Sequence, residues 1–195
     1  MRNYFLAILA GFLTGVLLIP TLRNLDLKLP YETTALVFIT PLVFVFGALI
    51  AFFVGRRFPW FWQLVKFGEV GFLNTAIDFG ILNFLIFATG LPSGLYFSAF
   101  KAVSFVAANI NSYVWNRFWV FEARQSVSAK EYIRFLSVSL IAIAINVGIA
   151  SLVVNFIPAR FGLNPTMWAN IGAATGVATG LLWNFFGYKL IVFRK

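Results

Sequence analysis

Polar side chains that could bind a ligand lie inside long apolar runs of the sequence. Asp78 lies near the middle of one run, Asn74 precedes it by one helical turn, and Asn146 has a similar place in a later run. A carboxylate at the centre of a bilayer costs at least about 2.5–3.5 kcal/mol on insertion scales, so it faces a partner or water. Such groups can form hydrogen bonds with a polar ligand or carry a proton. A neutral Asp78, or one tied to a neighbouring helix, is the alternative interpretation.

In a helix these polar residues fall on one face. At 3.6 residues per turn, Gly71, Asn74 and Asp78 lie within a sector of about 60°. Ser139 and Asn146 occupy the equivalent sector of the later run. The pattern predicts a polar face that is turned toward the interior of a helical protein.

A second polar stripe lies on the segment between these two runs. Lys101, Ser104, Ala108, Asn111 and Trp115 follow one another at steps of three or four residues, which places them on one face of a helix. For Lys101 the alternative is a side chain that extends to the outer interface. For Asn111 the alternative is a hydrogen bond between helices, which is typically worth about 0.6 kcal/mol.

Four basic residues lie at the ends of four apolar runs, on the same predicted side. They are Lys66, Arg117, Arg134 and Lys189. Because Arg and Lys bind phosphate through charge-assisted hydrogen bonds, this matched placement predicts a phosphate-binding ring. The alternative is that they only follow the positive-inside bias of membrane proteins. Glu69, one turn after Lys66, is expected to form a local ion pair with it.

The composition indicates an integral membrane protein. Hydrophobic residues make up 61% of the 195-residue chain, charged residues 11%, and the mean hydropathy is +0.90. An average soluble domain is about half apolar and about one-quarter charged. The net charge of +9 is therefore attributed to membrane topology rather than to nucleic-acid binding.

The residue types that the chain lacks exclude several kinds of chemistry. It has no cysteine and no histidine, which excludes disulfides, thiolate nucleophiles, imidazole bases and the usual zinc sites. It contains no G-x-x-x-x-G-K-[ST] phosphate loop and no G-x-G-x-x-G fingerprint. We therefore expect no metal, no cofactor and no intrinsic ATP motor. We also expect no enzymatic activity, because the sequence shows no soluble catalytic domain and the candidate carboxylate, Asp78, is solitary.

Six segments have the length and apolarity of a membrane-spanning helix, which needs about 20 mostly apolar residues. They are residues 4–22, 34–54, 67–89, 97–120, 133–156 and 167–192. Because a helix satisfies its backbone groups within one segment, the predicted class is an all-α integral membrane protein with six transmembrane helices. If both termini are cytoplasmic, eleven of the fifteen basic residues lie on the cytoplasmic side. The predicted location is the inner (cytoplasmic) membrane, in a multi-pass topology.

Local patterns predict two helix starts and several close helix contacts. Ser128 with Glu131 three residues later is a capping box, and Asn164 followed by Pro165 is a cap and first-turn pair. Glycines at steps of four residues let helices approach closely, and such faces are also compatible with a homodimer. They are Gly172, Gly176 and Gly180 in the last span, Gly11 and Gly15 in the first, and Gly47 and Gly55, with Ala51 between them, in the second.

Two stretches of the sequence are alike and indicate an internal repeat. Lys66-Phe-Gly-Glu-Val70 matches Arg134-Phe-Leu-Ser-Val138, and Ala76-Ile-Asp78-Phe-Gly80 matches Ala144-Ile-Asn146-Val-Gly148 at the same offset. The last four spans are therefore predicted to form two helical hairpins, at about residues 65–121 and 133–193, in a parallel repeat. The predicted domains are an N-terminal transmembrane hairpin at residues 1–58 and a four-helix domain at residues 59–195.

Residues 62–194 resemble the GtrA-like family of small membrane proteins. The resemblance rests on Lys66-Phe-Gly-Glu-Val-Gly71 with Asn74-Thr75 and Asp78, and on Asn111, Asn116-Arg117 and the Val120-Phe121 ending. It implies a four-helix protein that moves polyprenyl-phosphate-linked sugars across the membrane, commonly beside a glycosyltransferase that makes the lipid-linked sugar. The chain departs from the family in its extra N-terminal hairpin, and its second repeat has Asn146 where the first has Asp78.

The resemblance and the polar residues together predict translocation of a polyprenyl-phosphate-linked monosaccharide for glycosylation of cell-surface polysaccharide. The four basic residues are expected to bind its phosphate. The residues expected along the path of the sugar are Asn74, Asp78, Lys101, Asn111 and Asn146. The expected partners are this lipid-linked sugar, membrane lipid, a membrane glycosyltransferase and a second copy of the chain.

Two other functions stay open at this point. The first is a non-transporting membrane subunit that recruits or stabilises a polyprenyl-phosphate glycosyltransferase. The second is a small ion-coupled solute transporter with Asp78 as its proton site. Substitution of Asp78 or Asn111 separates the first of these from a conduit, and dependence of flux on a proton gradient would favour the second.

Overall fold

Helices make up nearly all of the structure, a computed structural model that describes residues 2–25, 32–120, 122 and 129–187. The helices are α1 (Arg2–Asn24), α2 (Glu32–Gly55), α3 (Pro59–Thr89), α4 (Gly94–Trp115), α5 (Ala129–Phe156) and α6 (Pro165–Gly187). A π-helical turn, Asn116–Val120, continues α4. The part of the chain that is described contains no strand, which confirms the predicted all-α class.

Four of these helices are long and apolar enough to cross a membrane. The qualifying stretches are Arg2–Asn24, Thr33–Gly55, Trp60–Thr89 and Leu136–Phe156. α4 and α6 are less apolar, because α4 carries Lys101 and two asparagines while α6 carries several glycines and threonines. Within the described residues, length and composition therefore support four of the six predicted spans.

α3 begins earlier than the hydropathy pattern predicts. It starts at Pro59 rather than at residue 67, and proline is well suited to the first turn of a helix. Its 31 residues span about 46 Å at 1.5 Å per residue, which exceeds a hydrocarbon core of about 30 Å. The first turns of α3 are therefore long enough to extend beyond the apolar layer and to carry Lys66 at its edge.

The predicted cap of α6 is confirmed. The side-chain oxygen of Asn164 accepts a hydrogen bond from the backbone N–H of Met167 at 2.8 Å, and Pro165 is the first residue of the helix. Ser128, from the capping box predicted for α5, lies outside the described residues. Residues 188–192, the end of the last predicted span, lie outside them as well.

The chain divides into two compact units. The first comprises residues 1–81 and 107–124, and the second comprises residues 82–106 and 125–195. α3 and α4 therefore each contribute one part to each unit. The domain boundary predicted near residue 58 stays a prediction.

Small residues bring helices of the first unit close together. A Cβ at Gly11 would overlap the backbone of Pro41, and one at Gly15 would overlap the carbonyl of Leu36. Thr40 donates a hydrogen bond from its hydroxyl to the Gly11 carbonyl at 2.8 Å, which ties α2 to α1. The predicted packing role of the α1 glycines is confirmed. A cluster of buried apolar residues in this unit comprises Ala7, Ala10, Phe44, Ala48, Val70, Leu73, Trp119 and Val120.

Small residues also bring helices of the second unit close together. A Cβ at Gly176 would overlap the backbone carbonyl of Asn146, and one at Gly172 would overlap the side chain of Val154. α6 therefore lies directly against the backbone of α5, as its glycine spacing predicts. Near the C-terminal end of α5, beside Val154, the side-chain oxygen of Asn155 accepts a hydrogen bond from the Gly94 N–H at 2.6 Å and so holds the start of α4.

Two glycines of α3 give a matched test of this packing. A Cβ at Gly80 would overlap the Leu17 carbonyl, whereas a Cβ at Gly68 meets nothing within 4 Å. We expect Gly80→Ala to lower the free energy of unfolding by about 1–3 kcal/mol, because two backbones must move apart. Gly68→Ala should be neutral or raise it by up to about 1 kcal/mol through helix propensity. Thermal denaturation in detergent measures both, and equal effects would contradict the packing described for α1 and α3.

Candidate functional site

Lys66 is buried although it carries a charge, and its partners explain how. Its ammonium donates a hydrogen bond to the Trp119 carbonyl at 2.8 Å and contacts Glu122 Oε1 at 3.2 Å. The Trp119 carbonyl is among the last of its helical segment, where backbone acceptors have no partner within the helix. Lys66 of α3 therefore stabilises the end of the segment that follows α4.

That segment is the π-helical turn. Asn116 donates from its side chain to the Ser112 carbonyl at 2.8 Å, and the indole N–H of Trp119 donates to Asn3 of α1 at 3.3 Å. Arg117, one of the predicted phosphate ligands, lies buried on the same turn. π-helical turns are rare in proteins, and those that occur are frequently found at functional sites. Arg117 and the Trp119 carbonyl that binds Lys66 therefore lie on the same short turn.

Glu122 joins two cations just beyond the turn. Its carboxylate contacts Lys66 and, through the other oxygen, Arg2 at 3.2 Å. The hydrogen bond from Lys66, together with the charges of Lys66 and Arg2, lowers the pKa of Glu122. The residue adopts a left-handed backbone with φ 47°, an uncommon conformation for a side chain other than glycine.

The prediction of an ion pair between Lys66 and Glu69 is wrong. Lys66 turns instead to Trp119 and Glu122, and both carboxylate oxygens of Glu69 lack a hydrogen-bond partner among the described residues. Sequence spacing alone favoured the local partner one turn away. The carbonyl at the end of the π-helical turn, which only the fold brings close, competes successfully for the ammonium.

Two predicted pathway residues of the first unit form a direct pair. Asn111 of α4 donates a hydrogen bond to the side-chain oxygen of Asn74 of α3 at 2.7 Å. This is the bond between helices that the sequence left open as the alternative. Asp78, one turn further along α3, is 3% exposed and has interaction partners in the structure. Asp78 is therefore buried, whereas Asn74 and Asn111 are half-buried and bind each other.

Lys101 and Asn146 lie in the second unit and are also buried. Lys101 is 0% exposed, so the interpretation that it extends to the outer interface is wrong. Ser104 donates from its hydroxyl to the Lys101 carbonyl at 3.1 Å. Asn146 lies against the glycine face of α6, and its side-chain oxygen has no hydrogen-bond partner among the described residues.

An amide pair that the sequence analysis missed also lies in the second unit. Asn83 and Asn170 exchange two hydrogen bonds, at 2.7 and 2.8 Å, and both side chains are buried. Asn170 also donates to the Thr166 carbonyl at 3.0 Å. The signal was present, because each is an amide inside an apolar run, but neither lies on the polar stripes that the spacing picked out.

The predicted basic ring is visible only in part. Lys66 and Arg117 are both buried in the first unit. Arg134 lies on α5 within the described backbone, but its side chain lies outside what the structure describes, and Lys189 lies outside the described residues altogether. The ring of four stays a prediction, with two of its members placed.

Apolar helices with buried charged and amide side chains define this chain as a helical membrane protein. A family model for the GtrA/DPMS transmembrane domain matches residues 66–193. The chain belongs to this family, which confirms the resemblance carried by the α3 and α4 motifs. α1 and α2 precede the matched region.

A relative supports the same placement. The chain is 34% identical over 130 residues to the uncharacterized membrane protein YngA of Bacillus subtilis, which covers 67% of this chain and 78% of that protein. That description names no substrate and no activity. No solved structure matches the chain.

The position of Glu122 predicts a pH-dependent contribution to stability. A carboxylate whose pKa is lowered by folding stabilises the protein above its ordinary pKa of about 4.5 and loses that effect as the pH falls through the lowered value. We expect wild type to be more thermostable than Glu122→Gln at pH 7, and the difference to vanish in strongly acidic buffer. Denaturation curves across this range measure it. A difference that grows on acidification would contradict the ion pairs described.

Proposed function

We propose that the protein translocates a polyprenyl-phosphate-linked monosaccharide across the cytoplasmic membrane. The observation that carries the proposal is the burial of charged and amide side chains along apolar helices of a GtrA/DPMS-family protein. Lys66, Asp78, Lys101 and Asn146 are each at most 4% exposed. Burying such groups is costly, and in membrane proteins they mark substrate or ion pathways.

The proposed topology has six transmembrane helices with both termini in the cytoplasm. α4 and α6 have 22 and 23 residues, or about 33–35 Å at 1.5 Å per residue, and so are long enough to cross. The excess of Lys and Arg on the inner side supports this orientation. The last four helices are proposed to form the two parallel hairpins of the internal repeat. The Lys66 end of α3 then faces the cytoplasm.

The phosphate is proposed to bind first at this cytoplasmic end. Lys66 already binds an anion there, because its ammonium contacts the Glu122 carboxylate. Glu122 is 39% exposed at its side chain, so it can leave Lys66 and give its place to a lipid phosphate. Arg117, on the adjoining turn, can add charge-assisted hydrogen bonds to the same phosphate. Arg134 and Lys189 are also proposed as phosphate ligands.

The sugar is proposed to follow the polar side chains of the helices. In the first unit these are Asn74, Asp78 and Asn111. Asn74 and Asn111 can exchange their mutual hydrogen bond for hydrogen bonds to sugar hydroxyls. Lys101 and Asn146, which are buried in the second unit, are also proposed as residues of the sugar pathway. The prenyl tail stays in lipid, against exposed apolar side chains such as Phe72 and Phe87.

A gradient of the lipid-linked sugar is proposed to drive the movement. The sequence carries no phosphate-loop motif that would couple transport to ATP. Consumption of the sugar on the far side would keep the flow in one direction. The partner that supplies the lipid is then a membrane glycosyltransferase on the cytoplasmic side.

A second candidate is a subunit that holds a glycosyltransferase without carrying lipid. The Asn74–Asn111 hydrogen bond favours it, because two amides that satisfy each other need no ligand. The two functions differ in what loss of a polar side chain does. A scaffold should keep its glycosyltransferase partner when a polar side chain is lost, whereas a conduit should move the lipid more slowly.

Replacing the Asp78 carboxyl group separates these functions. In sealed vesicles that contain labelled polyprenyl-phosphate monosaccharide, we expect Asp78→Asn to slow transbilayer movement by about 10-fold or more. A hydrogen bond to a charged group is worth about 1.5–3 kcal/mol, and about 1.4 kcal/mol is tenfold in rate. Thr75→Val, a change at an exposed position on the same helix, is the matched control and should move lipid at the wild-type rate.

The assay also identifies failure of the proposal. Wild-type protein that moves the lipid no faster than protein-free vesicles would contradict translocation. Wild type and Asp78→Asn that both retain a bound glycosyltransferase and its activity, without accelerating lipid movement, would establish the scaffold instead.

A further inference from the structure

Glu69 is a buried carboxyl group that the proposed translocation does not use. It lies on α3 one turn after Lys66, and Glu69 is only 6% exposed. Both carboxylate oxygens are fully buried and lack a hydrogen-bond partner among the described residues. Most buried polar side chains are paired, so this exception calls for a physical explanation.

The carboxyl group lies against the backbone of α2. A Cβ placed at Gly47 would lie 3.2 Å from Glu69 Oε1 and 3.7 Å from Val65. Phe44 and Ala48, the neighbours of Gly47 along α2, are buried in the apolar cluster of the first unit. The sequence of α2 contains no charged residue after Glu32 at its start. α2 therefore places a glycine, but no side chain of opposite charge, against Glu69.

The charged groups at this end of the first unit are directed elsewhere. Lys66, on the same helix, donates to the Trp119 carbonyl and contacts Glu122. Glu122 also binds Arg2 of α1, and Arg117 of the π-helical turn has interaction partners of its own. Glu69 therefore accepts a hydrogen bond from none of these cations.

Two chemical solutions exist for such a group. An ionised carboxylate without a partner in an apolar site carries a large desolvation cost, which a bound cation or a proton removes. A metal cation needs several oxygen ligands, and the described residues hold no group of three acidic, His or Cys side chains. A proton needs only the carboxylate itself.

We propose that Glu69 is a proton-binding site of the protein. When Glu69 loses its proton, Lys66 is the cation positioned to pair with the carboxylate, because it lies one turn away on the same helix face. Lys66 then leaves the Trp119 carbonyl and Glu122 to pair with Glu69. Protonation of Glu69 therefore decides whether Lys66 is held by the π-helical turn. The proposal does not depend on which lipid the protein carries.

Infrared spectra of the protein in lipid test the site directly. At neutral pH we expect wild type to show the carbonyl stretch of a protonated carboxylic acid that Glu69→Gln lacks, and to lose it as the pH rises. Asp78→Asn, the matched control on the same helix, should retain that band. Spectra of wild type and Glu69→Gln that coincide in this region would overturn the proposal.

The role of Lys66 has its own test. Without the ammonium the ionised carboxylate has no partner, so Lys66→Gln should retain the protonated band to higher pH than wild type does. A band that disappears at the same pH in both proteins would contradict the exchange of Lys66 between Glu122 and Glu69.

A chemical probe of unmodified protein makes the test independent of variants. A hydrophobic carbodiimide reacts with protonated carboxyl groups in apolar surroundings. Peptide mass spectrometry should find the adduct on Glu69 at neutral pH and less of it as the pH rises. Absence of both the adduct and the infrared band in wild type would overturn the proposal.

Discussion

A polar group in hydrocarbon has no water to bond with, so it must find its partner in the protein. This constraint accounts for the contacts that join the helices of each unit. Lys66 reaches the Trp119 carbonyl at the end of the π-helical turn, and Asn111 reaches Asn74. In the second unit a reciprocal amide pair joins α3 to α6. Each polar side chain fixes two elements at once, and the polar residues therefore hold the helices in place.

Close approach of backbones makes these contacts reachable. Gly11 and Gly15 bring α2 against α1, and Gly176 brings α6 against the backbone of α5. Where the approach leaves a polar atom without a partner, the constraint is unmet. Glu69 and Asn146 have such atoms. Atoms of this kind are the places where a proton or a polar head group gains most by binding, because the desolvation cost has already been met in folding.

Local features of this fold could be predicted from the sequence, and contacts set by distant segments could not. The Asn164 cap depends on residues three positions apart, and the glycine spacing of α6 depends on one helix face. The partner of Lys66 lies 53 residues away on a π-helical turn that hydropathy does not encode, so spacing favoured the wrong partner, Glu69. For Lys101, hydropathy could not distinguish burial from a position at the interface, because a long amphipathic side chain suits both.

Thiol labelling tests the central claim, that polar side chains of α3 and α4 serve a polar head group. The chain contains no cysteine, so Asp78→Cys, Asn111→Cys and Phe72→Cys each introduce a single thiol. Phe72 is 69% exposed on the surface that we assign to lipid. The account predicts that a charged, membrane-impermeant thiol reagent modifies the first two variants and that added polyprenyl-phosphate sugar slows this reaction. Thiols at 78 and 111 that react no faster than the thiol at 72, with or without the lipid, would contradict it.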